Sequence, residues 1–156
     1  MLKPINHYPE DKEISGIHNI PMEQTPSVEL NLKLEPHEVP DLRQSVGWER
    51  RDADFPGLLT QCLFWAGVRD DSGSLIAFGY ITGPGIEHGY MEDIMVHPHY
   101  QKHGIGKALV RKLLNEANYR KISMVTVTYQ EKHKLFYEDA GFTPCPGGIW
   151  RSEETV

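Results

Sequence analysis

The segment Asp93-Ile94-Met95-Val96-His97-Pro98-His99-Tyr100-Gln101-Lys102-His103-Gly104-Ile105-Gly106-Lys107 joins an apolar run to a glycine-bearing loop and then to the start of a helix. Upstream, Tyr90 to Val96 reads as a strand stopped by His97-Pro98. Downstream, Ile105, Leu109, Val110, Leu113, Leu114 and Ala117 fall on one helical face, with Lys107, Arg111, Lys112 and Glu116 on the other. A strand that passes through glycines into a helix suits a polyanion. The first helical turn has unpaired N–H groups and a partial positive charge, and glycines let a phosphate approach the backbone. Here those groups belong to Lys102 through Lys107. Two phosphate motifs do not fit. A nucleoside-triphosphate loop lacks its first glycine and has Ala108 after the lysine, and a dinucleotide fingerprint would need glycine where Leu109 stands. The alternative is a turn whose glycines only relieve strain.

The charge distribution agrees with an anion site. The 156 residues carry a formal charge of −6, with 39% apolar and 24% charged residues, enough for one packed domain and against wholesale disorder. From His97 to Lys121, Lys102, Lys107, Arg111, Lys112, Arg120 and Lys121 face a single acid, Glu116, a local +5 that leaves −11 for the rest. An acidic total argues against a long nucleic acid or an anionic membrane as partner. It does not exclude a small anionic ligand. Two cysteines, Cys62 and Cys145, make no disulfide framework. No signal peptide or membrane-spanning run is visible, so a cytoplasmic location is expected.

Working outward, residues 1–26 hold Pro4, Pro9, Pro21 and Pro26 in a polar background and read as an irregular arm, with 27–156 as a single domain. Val28 to Leu34 alternates like a half-buried strand. Pro36–Val46 and Asp52–Gln61 are helical candidates. Leu63–Arg69 and Leu75–Thr82 are strands joined by the turn Asp70-Asp71-Ser72-Gly73. Ile122–Tyr129 is a β-branched strand, and Glu131–Ala140 a helix stopped by Gly141. Phe142 and Gly148-Ile149-Trp150 are expected as short closing strands. The order β-α-α-β-β-β-α-β-α-β-β predicts an α+β domain with a mixed, mostly antiparallel sheet flanked by helices.

Gln101-x-x-Gly104-x-Gly106 after Asp93-Ile94-Met95-Val96-x-Pro98 resembles the acyl-CoA loop of the GNAT superfamily of N-acetyltransferases. Phe136-Tyr137-Glu138-x-x-Gly141-Phe142 resembles the second signature of that family, and the likeness in element order runs from Val28 to Trp150. The resemblance implies acetyl-CoA as co-substrate. It implies that Ile94, Met95 and Val96 lie along the pantetheine arm, with the Val96 N–H near the thioester oxygen. Lys102, His103, Gly104, Ile105, Gly106 and Lys107 would hold the pyrophosphate, with Gln101 also a cofactor-binding residue. Tyr137 would sit by the sulfur and give a proton to the departing thiolate, although Leu135, Phe136 and Tyr137 also read as core of the last helix. Gln130 stands where many family members place an asparagine on the CoA arm.

Acetyl transfer to an amine requires a base, because an amine with pKa near ~10 must lose a proton before it attacks. Strand alternation puts Tyr90, Glu92, Ile94 and Val96 on one face and Met91, Asp93 and Met95 on the other. Glu92 is therefore the candidate base, directly or through water, against the alternative of a solvated strand-end carboxylate. In the arylalkylamine acetyltransferases, to which this region is similar, the positions of Tyr90 and Glu92 carry histidines. Trp48, Phe55 and Tyr90 are the candidate acceptor-binding residues. Trp48 and Phe55 lie beside Glu49, Asp52 and Asp54, a setting that suits a cationic amine, or else they staple helices to the sheet. His97-x-His99-x-x-x-His103 is better read as groups near the anion than as a metal site.

The expected activity is transfer of an acetyl group from acetyl-CoA to a small primary amine by direct attack in a ternary complex, since no cysteine is placed as a relay. The rivals are a non-catalytic acyl-CoA sensor and an acetyltransferase of protein N-termini or lysines. A homodimer is allowed, and no metal, nucleic acid or membrane partner is expected.

Overall fold

The computed structural model describes residues 27–153; the expected arm, residues 1–26, and residues 154–156 lie outside them. The chain runs β1 (Val28–Leu30), α1 (Glu38–Ser45), β2 (Cys62–Arg69), β3 (Leu75–Thr82), β4 (His88–Val96), α2 (Ile105–Tyr119), β5 (Met124–Val127) and α3 (Lys134–Asp139). Single 3-10 turns at Gly57–Gln61, Pro98–Tyr100 and Glu131–His133 join them. The strands form one sheet in the order β1-β2-β3-β4-β5, antiparallel throughout except for the parallel pair β4–β5.

Each face of the sheet has its own core, which is why the central strand β3 is buried along Leu75–Ile81 without alternation. On one face α2 lays Leu109, Val110 and Leu113 over Phe64, Ala66, Val68, Ile81 and Met91, all nearly fully buried. On the other, Val39 and Leu42 of α1 pack with Leu32, Phe55, Phe78, Tyr80 and Met95. The apolar stripe of α2 thus does what its period requires. No helix among the described residues is long and apolar enough to cross a membrane.

The α+β class stands, with three departures. The first strand stops at Leu30 because Asn31 takes φ 51° and turns the chain, its Oδ1 accepting the Trp65 N–H. The expected helix Asp52–Gln61 is a set of turns with one 3-10 segment, Gly57–Gln61. The carboxylates at its start are engaged by arginines, Asp52 by Arg50 and Asp54 by Arg51. The expected closing strands do not form among the described residues. Phe142 gives its N–H to the Tyr137 carbonyl as the chain leaves α3 and rests its ring against Tyr137. Beyond it Pro144 and Pro146 lack ladder donors, and Ile149 and Trp150 stay exposed.

Candidate active site

The site begins with one irregularity in the β3–β4 ladder. Tyr80 pairs with Glu92 and Phe78 with Met95, so Gly79 stands opposite both Asp93 and Ile94. Asp93 takes φ 54°, and the extra residue makes a β-bulge. A bulge shifts side-chain alternation by one. Glu92 and Met95 consequently share the α1 face with Tyr80 and Phe78, whereas Ile94 and Val96 pack into the α2 core. The expectation that Glu92 shares a face with Ile94 and Val96 is corrected here, because it assumed an unbroken ladder. Gly79 is the counterpart of the bulge, since a Cβ there would overlap the Ile94 side chain.

At the same place β4 parts from β5. The parallel ladder ends at Met91 opposite Val127, and from Glu92 onward β4 has no strand partner on that side among the described residues. The His97 N–H bonds the Ile76 carbonyl on β3, so alternation turns the N–H groups of Ile94 and Val96 toward the gap. The Val96 carbonyl points the same way and accepts the Gln101 side-chain amide at 3.0 Å. A cleft of about 810 Å³ fills the gap.

Most expected site residues border this cleft. Tyr90, Glu92, Ile94, Met95 and Val96 form its β4 wall; Gln101, Lys102, Gly104, Ile105, Gly106 and Lys107 form the loop wall. Tyr137 and Trp48 border it too. His103 is exposed and is not on the wall. Phe55 is a correction: it is 5% exposed inside the α1 core, where an apolar ring gains more from burial than from a rim.

The loop is built to present backbone donors. Gly104 takes φ 78° at the N-cap position of α2 with no side-chain cap, and Ala108 is the residue whose N–H returns to the Gly104 carbonyl. The N–H groups of Ile105, Gly106 and Lys107 are therefore left without helical acceptors. Lys102 and Lys107 flank them, and Lys132 and His133 stand across the cleft. The loop's base is pinned by Tyr100, whose hydroxyl donates to Asp70 Oδ2 at 2.9 Å, and by His97 Nδ1, which accepts the His99 N–H. Among the described residues no group of three His, Cys, Asp or Glu side chains could hold a metal ion.

Two titratable side chains on the cleft wall are Tyr137 and Glu92. Tyr137 stacks on Tyr129 with ring centroids 4.9 Å apart and meets Phe136 and Phe142 edge-on. Its hydroxyl makes no hydrogen bond among the described residues, and burial, with Tyr90 nearby, pushes it up to about 12. It stays protonated at neutral pH and is available as a donor. Glu92 accepts the Tyr80 hydroxyl at 2.6 Å on one oxygen, Oε2. Burial and that hydrogen bond push the Tyr80 phenol far up, so it remains a donor. The Cys62 thiol is pushed up to about 11 by burial, with Glu92 and Asp93 adding to the effect, which leaves it unfit as a nucleophilic relay. On the β5 side Tyr90 donates to the Thr128 hydroxyl at 2.9 Å.

Tyr80, Arg43 and Thr128 were not singled out from the sequence. Tyr80 carries the lone phenol in the buried run Leu75–Ile81, a signal that could have been noticed. The acidic rim expected around Trp48 is partly neutralised, since Asp52 pairs with Arg50 and Asp54 with Arg51, and none of Glu49, Asp52 and Asp54 borders the cleft.

The chain matches the family model for the acetyltransferase (GNAT) domain over residues 60–144, more than half its length. It is 30% identical over 108 residues to GCN5-related N-acetyltransferase 1, chloroplastic, of Arabidopsis thaliana, covering 67% of this chain and 54% of that protein. It is 30% identical over 119 residues to histone acetyltransferase TAP1 of Glycine max, covering 69% and 52%. The chain thus spans between half and two thirds of the length of several curated relatives it matches. A GNAT family acetyltransferase structure from Streptococcus pneumoniae superposes with a TM-score of 0.70 at 25% identity, over 83% of this chain and all of that one. The narrower likeness to arylalkylamine acetyltransferases is not established by these matches. A five-stranded sheet opened at β4, a glycine loop at the head of α2 and these relatives agree: the chain belongs to the GNAT family of acetyltransferases.

Proposed function

We propose that this acetyltransferase moves an acetyl group from acetyl-CoA to a primary amine by direct attack in a ternary complex. The observation that carries the reading is the opening of β4 from β5 beyond Met91, which leaves the Ile94 and Val96 N–H groups facing one cleft with Glu92 and Tyr137 on its walls.

The residues present fit acetyl-CoA. The free N–H groups at the head of α2, with Lys102 and Lys107, suit its phosphates, and the unpaired edge of β4 suits an amide-bearing arm. When bound, it supplies an acetyl group activated as a thioester. Glu92, held by Tyr80, takes the proton from the attacking amine, directly or through water. The Val96 N–H is a fixed donor for the oxygen that gains negative charge. Tyr137 gives its hydroxyl proton to the departing sulfur.

For the acceptor, the support for a cationic small molecule narrows to Glu92, because Asp52 and Asp54 already have arginine partners and Glu49 does not border the cleft. Trp48, 43% exposed at the cleft edge, offers an aromatic wall. A lysine side chain of a protein is the second reading, favoured by the soybean relative named a histone acetyltransferase. A thiol-release assay with acetyl-CoA against arylalkylamines, polyamines, aminoglycosides and lysine peptides tests the reading. Release with at least one amine, strongly reduced in Glu92→Gln while acetyl-CoA still binds, supports it. Tight binding without release for any amine would instead indicate a sensor.

A further inference from the structure

Arg43, near the C-terminal end of α1, is the buried charged residue of the described fold, and its side chain makes three contacts with the acceptor side of the site. Its Nη1 donates to Asp93 Oδ2 at 2.7 Å, in an ion pair whose side chains are 9% and 10% exposed. Its Nε donates to the Glu49 carbonyl at 2.6 Å. Its guanidinium lies over the Trp48 ring, 5.4 Å from the centroid. Asp93 is the residue at φ 54° in the β4 bulge, and both Asp93 and Trp48 border the cleft.

These contacts join α1, the β4 bulge and the Trp48–Glu49 segment through one side chain. A left-handed backbone at a side-chain-bearing residue persists only where its surroundings hold it. Asp93 is held by a charge-assisted hydrogen bond from an element 50 residues away. The arginine fork suits the task, because one planar group can pair a carboxylate, bond a carbonyl and stack on an aromatic face at once, which lysine cannot. The other charges near this pair are Glu92, which opposes the ionised form of Asp93, and Arg51, which favours it. Neither replaces Arg43, since Glu92 is itself an anion and Arg51 is engaged by Asp54.

We propose that Arg43 is a positioning residue: through Asp93 it fixes the β4 bulge that turns the Ile94 and Val96 N–H groups into the cleft, and through Glu49 and Trp48 it locks the acceptor wall to that bulge. This rests on the acetyl-transfer reading above. Arg43 touches neither reacting group, and its effect is on alignment.

The test uses the full chain with Arg43→Gln, Asp93→Asn and the double variant Arg43→Leu/Asp93→Gly. Glycine adopts a positive φ without help, and leucine leaves no unpaired buried charge. Arg43→Gln should lower kcat at least tenfold and raise acceptor KM. Asp93→Asn should lower kcat with a smaller effect on acceptor KM. The double variant should regain most of kcat but keep the raised acceptor KM, a split that a general loss of stability would not give. Arg43→Gln with kcat and acceptor KM within twofold of wild type would overturn the proposal, as would a double variant no faster than Arg43→Gln. A 19F spectrum of 5-fluorotryptophan-labelled protein, with Trp48 assigned by Trp48→Phe, reads the tie without catalysis. The Trp48 resonance should move in both Arg43→Gln and Asp93→Asn; constancy in Arg43→Gln would overturn the proposal even if the chain acetylates no amine tried.

Discussion

Tyr137→Phe removes one oxygen and leaves the ring. That ring keeps its stack on Tyr129 at 4.9 Å and its edge contacts with Phe136 and Phe142. The hydroxyl makes no hydrogen bond among the described residues, so the folded state loses no internal partner and Tm should stay within about 2 °C of wild type. A positioned general acid is worth roughly 10²–10⁴ in rate, or about 2.7–5.4 kcal/mol. Turnover should therefore fall at least a hundredfold while acetyl-CoA affinity is unchanged. Because burial pushes the hydroxyl up to about 12, the donor remains protonated through neutral and mildly alkaline solution. The ratio of wild-type to variant rates should then be flat between about pH 7 and 9. Thiol release at saturating acceptor gives the rate, and titration calorimetry gives the affinity. A variant that keeps more than about a third of wild-type turnover, or that loses affinity instead, would refute the role assigned to Tyr137.

Three further outcomes follow from the geometry. Gly79→Ala places a methyl against Ile94 across from the bulge, an overpacking cost of about 1–3 kcal/mol, so thermal unfolding should show a Tm several degrees lower and thiol release should slow; an unchanged Tm would remove the packing account of the bulge. Lys102→Ala/Lys107→Ala should weaken acetyl-CoA binding by calorimetry about tenfold and flatten its salt dependence, with turnover at saturation preserved; equal affinity would place the phosphates elsewhere. The Glu38 carboxyl is held below the usual carboxylate range by a hydrogen bond from Arg69, which outweighs partial burial. A depressed value stabilises the fold above the ordinary carboxylate range, and that contribution is lost as pH falls through the depressed value. Glu38→Gln should thus flatten the acid side of an unfolding-free-energy-against-pH curve by no more than about 1 kcal/mol, given solvent screening; a steeper acid side would reverse the sign of the argument.

What the sequence discloses and what it hides divide along local and non-local physics. Gln101 to Gly106 and the apolar stripe of α2 are local patterns, and the helix start at Ile105 falls where the glycine loop puts it. The second signature likewise delivers Tyr137 to the cleft wall. The bulge at Asp93 is invisible in the alternation of Tyr90 to Val96, because its positive φ is held by Arg43 on a distant helix and accommodated by Gly79 on the next strand. One residue out of register was enough to put Glu92 on the wrong face. Phe55 misled for the same reason, since only the packed α1 core decides between rim and interior. The closing strands were a different error. Pro144 and Pro146 lack ladder donors and argue against a strand there from sequence alone.

The placement of acetyl-CoA along the opened edge of β4 is tested most directly by titrating 15N-labelled protein with acetyl-CoA and following backbone amides. The account predicts that the Ile94 and Val96 amides and those of Ile105, Gly106 and Lys107 shift together and saturate with one ligand. Saturable binding that leaves the Ile94 and Val96 amides unmoved would contradict it.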